Sequence, residues 1–250
     1  MKQLLIKFIP NFILSELIKY KYRKINLKIH CFNIKQNKIV KIKCKKKKEN
    51  LKKILYRSFG GIIKVENYNF YFYPVAIIKV PNKIDEYLQE IGAKSRNMIK
   101  KALKNNIECN LFDWNSELDN IFEINRSSLI RQGREMDNSY REYPKKIDYF
   151  EDGDFKIVHI GAYDLINQKL IGYIELYVYG NFTMTNRILG HKQYLKFGVM
   201  NLMIRKCVEY AMENRIEYIN YLTMQNRKNN SLSAFKNRVG FREYSLLELK

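Results

Sequence analysis

Three residues in the second half of the sequence carry side chains that could take part in a group-transfer reaction. Lys236 follows Phe235 in an amphipathic segment that closes on a Gly-Phe pair. Glu175 lies in the otherwise apolar stretch IGYIELYVY, and His191 directly follows a predicted strand. A carboxylate or an imidazole can take a proton from an attacking amine, and an ammonium can stabilise an oxyanion or bind a phosphate. Each residue also has an ordinary interpretation: an exposed helix lysine, a carboxylate on the exposed face of a strand, and a surface histidine.

The 250-residue chain is strongly basic, with a formal net charge of +21. Residues 1–53 hold 17 Lys and Arg against 2 Asp and Glu, so most of the excess lies in the first fifth of the chain. A surface of this charge density attracts nucleic acid, acidic lipid headgroups or phosphorylated substrates. Lysine-rich codon usage with solvated side chains would give the same composition. The hydrophobic share of 46% is sufficient for a packed core.

Several classes of function are disfavoured by what the sequence lacks. The four cysteines are far apart and form no CxxC pair, so neither a zinc site nor a disulfide framework is expected. No stretch approaches the ~20 apolar residues of a membrane span, and Lys7 and Pro10 interrupt the amino-terminal apolar run. Ser-His-Asp patterns, GxGxxG motifs and P-loops are absent from the sequence. We expect a cytoplasmic protein without a metal, which could associate with the inner face of the membrane through residues 1–53.

The elements that would position the three candidate residues fall into two regions. Residues 1–85 combine an amphipathic segment with β-branched and aromatic runs typical of hairpins, which predicts a smaller basic α+β region. From residue 86 the pattern predicts a helical hairpin, a strand, a helix ending at Gly133 and three consecutive strands. Gly198 then opens a long amphipathic helix, and a strand, a helix and a last strand complete the chain. The sequence therefore predicts a mixed α+β fold over residues 86–250.

The order of these elements, together with three motifs, resembles the GNAT acyltransferase superfamily. KLIGYIELYV is similar to its third strand, and GVMNLMIRKCVEYAMENRIEYINYL to its cofactor-side helix and the strand after it. NNSLSAFKNRVGF is similar to its last helix, whose pattern is Asn-x-x-Ala before Gly-Phe. The match extends over about residues 95–250. It implies a mixed, mostly antiparallel sheet with splayed central strands and helices on both faces.

Two details resemble one branch of that superfamily, the Fem-type aminoacyl transferases and related large single-chain acyltransferases. SRNMIKKALKNN is similar to their basic helix of Arg-x-x-Ile-x-Lys-Ala type. The pair Phe235-Lys236 stands where ordinary acetyltransferases place a tyrosine, and in this branch the lysine lies beside the acceptor and the thioester or ester carbonyl. Fem-type enzymes carry two such domains in a longer chain, so residues 1–85 would be at most a reduced second GNAT-like lobe.

The resemblance implies a site between the splayed strands. The expected catalytic residues are Glu175 as base for the amine, His191 as base near the carbonyl, and Lys236 at the oxyanion or a substrate phosphate. Residues expected to hold the cofactor lie around the start of the long helix or before the last helix: Ile188, Leu189, Gly190, Lys196, Gly198, Val199, Met200 and Asn229. Residues expected on the acceptor side lie on a basic helix or at the end of a strand: Arg96, Lys100, Tyr221 and Gln225.

One segment departs from the superfamily pattern. The cofactor loop of Gln/Arg-x-x-Gly-x-Gly/Ala type is here LKFGVM, with Leu195 in place of Gln or Arg and Met200 in place of the second small residue. A pyrophosphate needs backbone amides that no side chain obstructs, so this departure weakens the case for acetyl-CoA. The helix amino terminus still offers N–H groups and a positive dipole to an anion.

Three functions remain open at this point. The first is N-acyl transfer from an acyl-CoA, acetyl-CoA above all, to a primary amine of an anionic acceptor such as a nucleotide-linked amino sugar, as envelope glycan pathways require. The second is a Fem-like transferase that uses aminoacyl-tRNA and modifies a cell-wall precursor, with residues 1–53 binding tRNA or the membrane. The third is a non-enzymatic basic binding module on a GNAT-like fold.

Overall fold

A computed structural model describes residues 39–42, 62–65, 68–71, 75–131, 134–149, 155–224 and 230–249. Of the strongly basic residues 1–53, only the strand at 39–42 is among them. The amphipathic amino-terminal segment, and with it the expected surface for tRNA or membrane, lies outside the described residues. The same holds for Gln225 and Asn229.

The described residues form twelve β-strands and five α-helices. The strands are β1 (Ile39–Ile42), β2 (Ile62–Val65), β3 (Tyr68–Tyr71), β4 (Val75–Lys79), β5 (Ile107–Leu111), β6 (Ile130–Arg131), β7 (Arg134–Glu135), β8 (Phe155–Asp164), β9 (Lys169–Tyr179), β10 (Phe182–Gly190), β11 (Tyr218–Thr223) and β12 (Arg242–Leu249). The helices are α1 (Ile84–Glu90), α2 (Ala93–Lys104), α3 (Leu118–Arg126), α4 (Val199–Glu213) and α5 (Asn230–Arg238). Short 3₁₀ turns are at Trp114–Ser116, Asn138–Tyr140 and Lys192–Phe197.

One large mixed sheet runs through the described part of the chain. Its central strands follow the order β5-β8-β9-β10-β11-β4-β12, and β12 also pairs with β3 and β1. β8, β9 and β10 form an antiparallel meander, as the alternating sequence predicts, with the two-residue turn Gly180-Asn181 between the last two. β10 and β11 pair in parallel. The predicted mixed, mostly antiparallel α+β fold is confirmed.

The strand β4 comes from the amino-terminal region of the sequence but lies inside the sheet. It pairs antiparallel with β11 on one side and with β12 on the other. Its first four residues, at 75–78, are almost completely buried. Residues on the two sides of position 85 therefore contribute to one continuous sheet.

Helices cover both faces of the sheet. Side chains of α1, α2 and α4 share one large apolar core with the sheet, and side chains of α3 share a second core on the opposite face. β9 lies between the two layers, and nearly all of its residues are buried. Since alternate residues of a strand face opposite sides, Ile174 and Leu176 pack toward α4, and Tyr173 and Glu175 point toward α3. This explains why nearly all of IGYIELYVY is apolar and leaves Glu175 as the exception.

Gly198 marks the start of α4, as the sequence predicts. It has φ +91°, and a β-carbon at this position would meet the backbone carbonyl of Met98 in α2. Only glycine combines this left-handed backbone with such a close approach at no steric cost. Gly198 therefore lets α2 pack directly against the beginning of α4.

Candidate active site

The parallel pair of β10 and β11 is short. The strands are in register only over Phe182–Met184 and Tyr218–Asn220. Beyond that point β10 stays beside β9 as far as Gly190, and β11 stays beside β4 as far as Thr223. The two strands therefore part toward their carboxyl ends, and a gap opens in the middle of the sheet.

A cavity of about 440 Å³ lies at the parted ends. Five of the residues predicted for the site line it: Ile188, Leu189, Gly190, Met200 and Tyr221. Further apolar lining comes from Leu195, Leu232 and Phe235. Among the described residues of this lining, Arg131 and Lys192 are the cations, and none is Asp or Glu. A cavity with this lining suits a ligand that carries both apolar and anionic groups.

The strand β11 departs from regular geometry where it borders the cavity. Its register against β4 shifts between Asn220 and Thr223, and Leu222 has φ 52°. A non-glycine residue rarely adopts this left-handed conformation, which often marks functional sites. The irregular backbone turns the carbonyl oxygens of Tyr221 and Thr223 toward one point, and both accept hydrogen bonds of 2.8 Å from Nζ of Lys236.

Lys236 is a buried cation without an acidic partner. The residue is 3% exposed, and Nζ lies 4.4 Å from the ring centroid of Tyr221. No Asp or Glu of the described residues pairs with it, and burial lowers the pKa of Lys236 to about 8. The side chain is thus still largely an ammonium at neutral pH. The ammonium is stabilised by two carbonyl oxygens and the ring of Tyr221, which itself lines the cavity.

Glu175 is buried, at 4% exposure, and both of its oxygens are engaged. Oε2 lies 3.2 Å from Nε2 of His159, and Oε1 accepts a hydrogen bond from the amide of Asn186. Burial raises the pKa of Glu175, but these hydrogen bonds and the charge of Arg187 outweigh it, so the pKa falls below its usual value. The carboxylate does not line the cavity. The structure therefore gives it a network role instead of the expected contact with an acceptor amine.

His191 ends β10 but turns away from the cavity. Its Nδ1 accepts a hydrogen bond of 3.4 Å from the backbone N–H of Gln193, which caps the following 3₁₀ turn. Its Nε2 lies 3.8 Å from a carboxylate oxygen of Glu123 in α3. Burial lowers the pKa of His191, which makes it neutral at pH 7. The structure does not bring this expected base to the cavity.

The remaining predicted residues lie around the site but not in it. Arg96 donates to two backbone carbonyls in the turn between α1 and α2, and Lys100 is exposed on α2. Lys196, Gly198 and Val199 adjoin the cavity in the chain without lining it. Their positions fit a structural role in joining α2, the 3₁₀ turn and α4.

Arg131 is a cavity residue that sequence reasoning missed. The expected helix ending at Gly133 stops earlier, at Arg126, because Ser127 and Ser128 use their hydroxyls on nearby carbonyl oxygens. Nη1 of Arg131 then donates to the carbonyl of Gly190 at 2.9 Å. The Ser-Ser pair was the available signal for this helix end.

The segment that would hold a coenzyme pyrophosphate is the 3₁₀ turn Lys192–Phe197. The backbone N–H of Lys192 donates to Ser127 Oγ, and that of Gly198 donates to the carbonyl of Leu195. A β-carbon placed on Gly190 would lie 2.8 Å from Leu195 and 3.2 Å from the sulfur of Met200. The side chains of Leu195 and Met200 thus crowd the space beside Gly190 at the end of β10.

Two further observations concern the described residues as a whole. No group of three His, Cys, Asp or Glu among them is placed to hold a metal ion. None of their helices has the length and apolar content needed to cross a membrane.

The parted parallel strands, the helix that starts beside them and the meander before them define an acyltransferase architecture of the GNAT type. Residues 118–241 match the model of the acetyltransferase (GNAT) family. This part of the chain is thus a GNAT domain, and the family match indicates an acyltransferase. No curated protein sequence gives a significant match.

One solved structure shares the fold at low sequence identity, and two others are more distantly similar. The crystal structure of FemX has a TM-score of 0.53 and 12% identity, covering 79% of this chain and 66% of that one. L-PGS from Bacillus licheniformis has a TM-score of 0.46 and 12% identity, with 79% and 64% covered. A tandem GNAT protein from the clavulanic acid biosynthesis pathway has a TM-score of 0.42 and 12% identity, with 74% and 53% covered. The chain thus spans less than two thirds of the length of these proteins, and the likeness concerns the fold alone.

Proposed function

We propose that this chain is an N-acyltransferase that moves an acyl group from an acyl-CoA to a primary amine of an anionic acceptor, such as a nucleotide-linked amino sugar. The observation that carries the proposal is the buried ammonium of Lys236, held without an acidic partner behind a cavity at the parted strands. Such a charge favours a reaction in which negative charge develops on a carbonyl oxygen. A cytoplasmic location, where acyl-CoA is available, belongs to the same proposal.

The geometry supports a simple division of work during transfer. The amine nitrogen attacks the acyl carbonyl carbon, the carbon–sulfur bond breaks, and the leaving thiolate takes up a proton. Beyond Met184 the edge of β10 is not paired with β11, so its backbone N–H groups can polarise the carbonyl. The cations Arg131 and Lys192 would hold the anionic acceptor, and the apolar walls would exclude water.

The side chains that crowd the 3₁₀ turn Lys192–Phe197 favour a second candidate for the donor. Because Leu195 and Met200 close against Gly190, a donor without a pyrophosphate at this place fits better. An aminoacyl ester of tRNA is such a donor, and the net charge of +15 in residues 1–53 would suit its backbone. The attacking amine would then displace a ribose oxygen instead of a thiolate, and the acceptor would be a cell-wall precursor.

Ligand binding separates these proposals. We expect acetyl-CoA, longer acyl-CoAs or free CoA at millimolar concentration to raise the melting temperature of the full chain if an acyl-CoA is the donor. If tRNA carries the acyl group, aminoacyl-tRNA should bind tightly, with an affinity that falls steeply with salt. Absence of both effects would overturn the transferase proposal and favour a non-enzymatic binding module.

A further inference from the structure

Arg187 directly precedes the residues of β10 that line the cavity, which begin at Ile188. The pairing of β10 with β9 shifts register between Thr185 and Arg187, so Asn186 is an extra residue that forms a bulge. Bulges re-aim neighbouring side chains. Here the bulge turns both Asn186 and Arg187 toward the same carboxylate, that of Glu175.

A buried polar network fixes the base of the Arg187 side chain. Its Nε lies 3.9 Å from Oε1 of Glu175, whose Oε2 lies 3.2 Å from His159. The other ring nitrogen of His159 lies 3.1 Å from the hydroxyl of Tyr149, which in turn accepts the backbone N–H of Trp114 at 2.7 Å. Arg187 therefore forms an ion pair on the α3 face with a carboxylate whose position this network fixes.

The end of the Arg187 side chain remains available to a ligand. The guanidinium carbon lies 5.9 Å from the ring centroid of Trp114 and 5.6 Å from that of Tyr140. The side chain is 34% exposed, and within the described part of the chain its terminal nitrogens make no hydrogen bond. A guanidinium held by aromatic rings with its N–H fork open matches the geometry of carboxylate and phosphate oxygens.

Arg131 supplies a second guanidinium nearby. It lines the cavity, its terminal nitrogens donate only to uncharged oxygens, and its buried Nε has no partner among the described residues. Nη2 of Arg131 donates to the carbonyl of Ile124 in α3, and the hairpin of β6 and β7 that carries Arg131 leads into the turn of Tyr140, whose ring Arg187 contacts. Both arginines therefore border the apolar core on the α3 face.

We propose that Arg131 and Arg187 form an anion-binding subsite that takes a phosphate or carboxylate group of the acceptor. It lies on the α3 face at the edge of the cavity. The assignment of the ligand as the acceptor rests on the proposed transferase function, but the anion site itself does not. The network of Glu175 and His159 is then a positioning device for Arg187.

Binding of simple anions to the full chain tests the subsite. Titration calorimetry is done with inorganic pyrophosphate, which represents a phosphate group, and with succinate, which represents a carboxylate. The anion that binds more tightly indicates which group the acceptor carries. We expect Arg187→Gln and Arg131→Gln each to weaken binding about tenfold or more, because each removes a charge-assisted hydrogen-bond donor. Arg187→Lys should fall between wild type and Arg187→Gln, because it keeps the charge without the fork.

Arg205→Gln is the matched control, since Arg205 pairs with Glu209 on α4 away from the cavity. It should bind both anions as wild type does, and melting curves confirm that all variants fold. Equal affinity of wild type and both glutamine variants, or no binding of either anion, overturns the subsite. If anions bind through the two arginines while no acyl donor binds, the subsite stands and the transferase proposal falls. If an acyl donor binds but both glutamine variants bind the anions as tightly as wild type does, the transferase proposal stands and the subsite falls.

Discussion

The side-chain amide of Asn220 brackets the backbone of Leu222. Its Oδ1 accepts the N–H of Leu222 at 3.0 Å, and its Nδ2 donates to the carbonyl of the same residue at 3.1 Å. Nδ2 also donates to the carbonyl of Ala76 in β4 at 3.1 Å. One fully buried amide thus satisfies the backbone groups that the irregularity of β11 removes from the sheet, and it holds the left-handed conformation that aims two carbonyls at Lys236.

We predict that Asn220→Ala lowers the free energy of unfolding by about 2–4 kcal/mol, since it leaves several buried polar groups without partners. Urea unfolding of the full chain measures this. The control is Asn105→Ala, because the Asn105 amide donates to one backbone carbonyl at an exposed helix end. Equal free energies of unfolding of the two variants would contradict this role of the Asn220 side chain.

Lys236 should make stability depend on pH in the alkaline range. Its pKa is about 8 in the folded chain, against an ordinary value of 10.5. Between these values the unfolded chain binds more protons, so the stability of the wild type should rise with pH relative to Lys236→Met. The gain from pH 7 to pH 10.5 should reach up to about 3 kcal/mol. Urea unfolding of both proteins at several pH values measures it, and a parallel pH dependence of the two would contradict the lowered pKa.

Lys236 should also be needed for catalysis. With an acceptor in hand, Lys236→Met should reduce kcat/KM by a factor of about 10² or more, because it removes the positive charge buried behind the cavity wall at Tyr221. For the wild type, kcat/KM should decline above pH 8 as the ammonium loses its proton. The control Lys206→Met changes a lysine that pairs with Glu209 on α4. Steady-state kinetics that show no loss would make Lys236 a purely structural residue.

Glu175 should contribute to stability at neutral but not at acidic pH. Because its pKa is lowered by folding, the carboxylate contributes stability above its ordinary pKa, and the contribution is lost as pH falls through the lower folded value. We expect Glu175→Gln to cost about 1–3 kcal/mol at pH 7 and less at pH 4. The control is Glu209→Gln, which changes a half-buried carboxylate. It should lower the free energy of unfolding by under about 1 kcal/mol at either pH. Urea unfolding of the wild type and both variants at the two pH values measures these differences, and an equal effect of Glu175→Gln at pH 7 and pH 4 would contradict the lowered pKa.

Opening the cofactor turn should change donor binding. In the double variant Leu195→Gln and Met200→Gly, the side chains that close against Gly190 are replaced by those of the superfamily pattern. Because the turn as it stands obstructs a pyrophosphate, the variant should bind acetyl-CoA about tenfold more tightly than wild type. Calorimetry with acetyl-CoA measures this. Equal affinity of the two proteins would show that these side chains do not obstruct the turn.

Local sequence patterns were sufficient for much of the fold. Alternating apolar residues and two-residue turns predicted the meander of β8, β9 and β10, and Gly198 predicted the start of α4. Lys236 was assigned to the site by resemblance to known proteins, and in the structure its amine donates to two carbonyl oxygens of β11. The meander and the start of α4 depend instead on short-range rules, in which a strand or helix is set by its own residues and its turns.

Features that depend on distant pairing could not be read from the sequence. Nothing near Val75 shows that β4 enters between β11 and β12. Glu175 was assigned to an amine because its own strand is otherwise apolar. Its partner His159 lies opposite it only through a register shift between Ala162 and Tyr163, which the sequence does not reveal. Arg187 was not predicted as a site residue because the bulge that orients its side chain cannot be recognised from the alternation of apolar and polar residues in β10.

The place of β4 has a consequence for how the chain is made. Ribosomes release β4 long before its two neighbours, β11 and β12, which are more than a hundred residues further on. Until those last strands emerge, the apolar side chains of β4 have no sheet to pack into. Such delayed non-local pairing slows folding and leaves apolar surface exposed to aggregation. A shortened chain that begins at residue 86 would face the same difficulty permanently, with β11 and β12 offering open edges to other molecules.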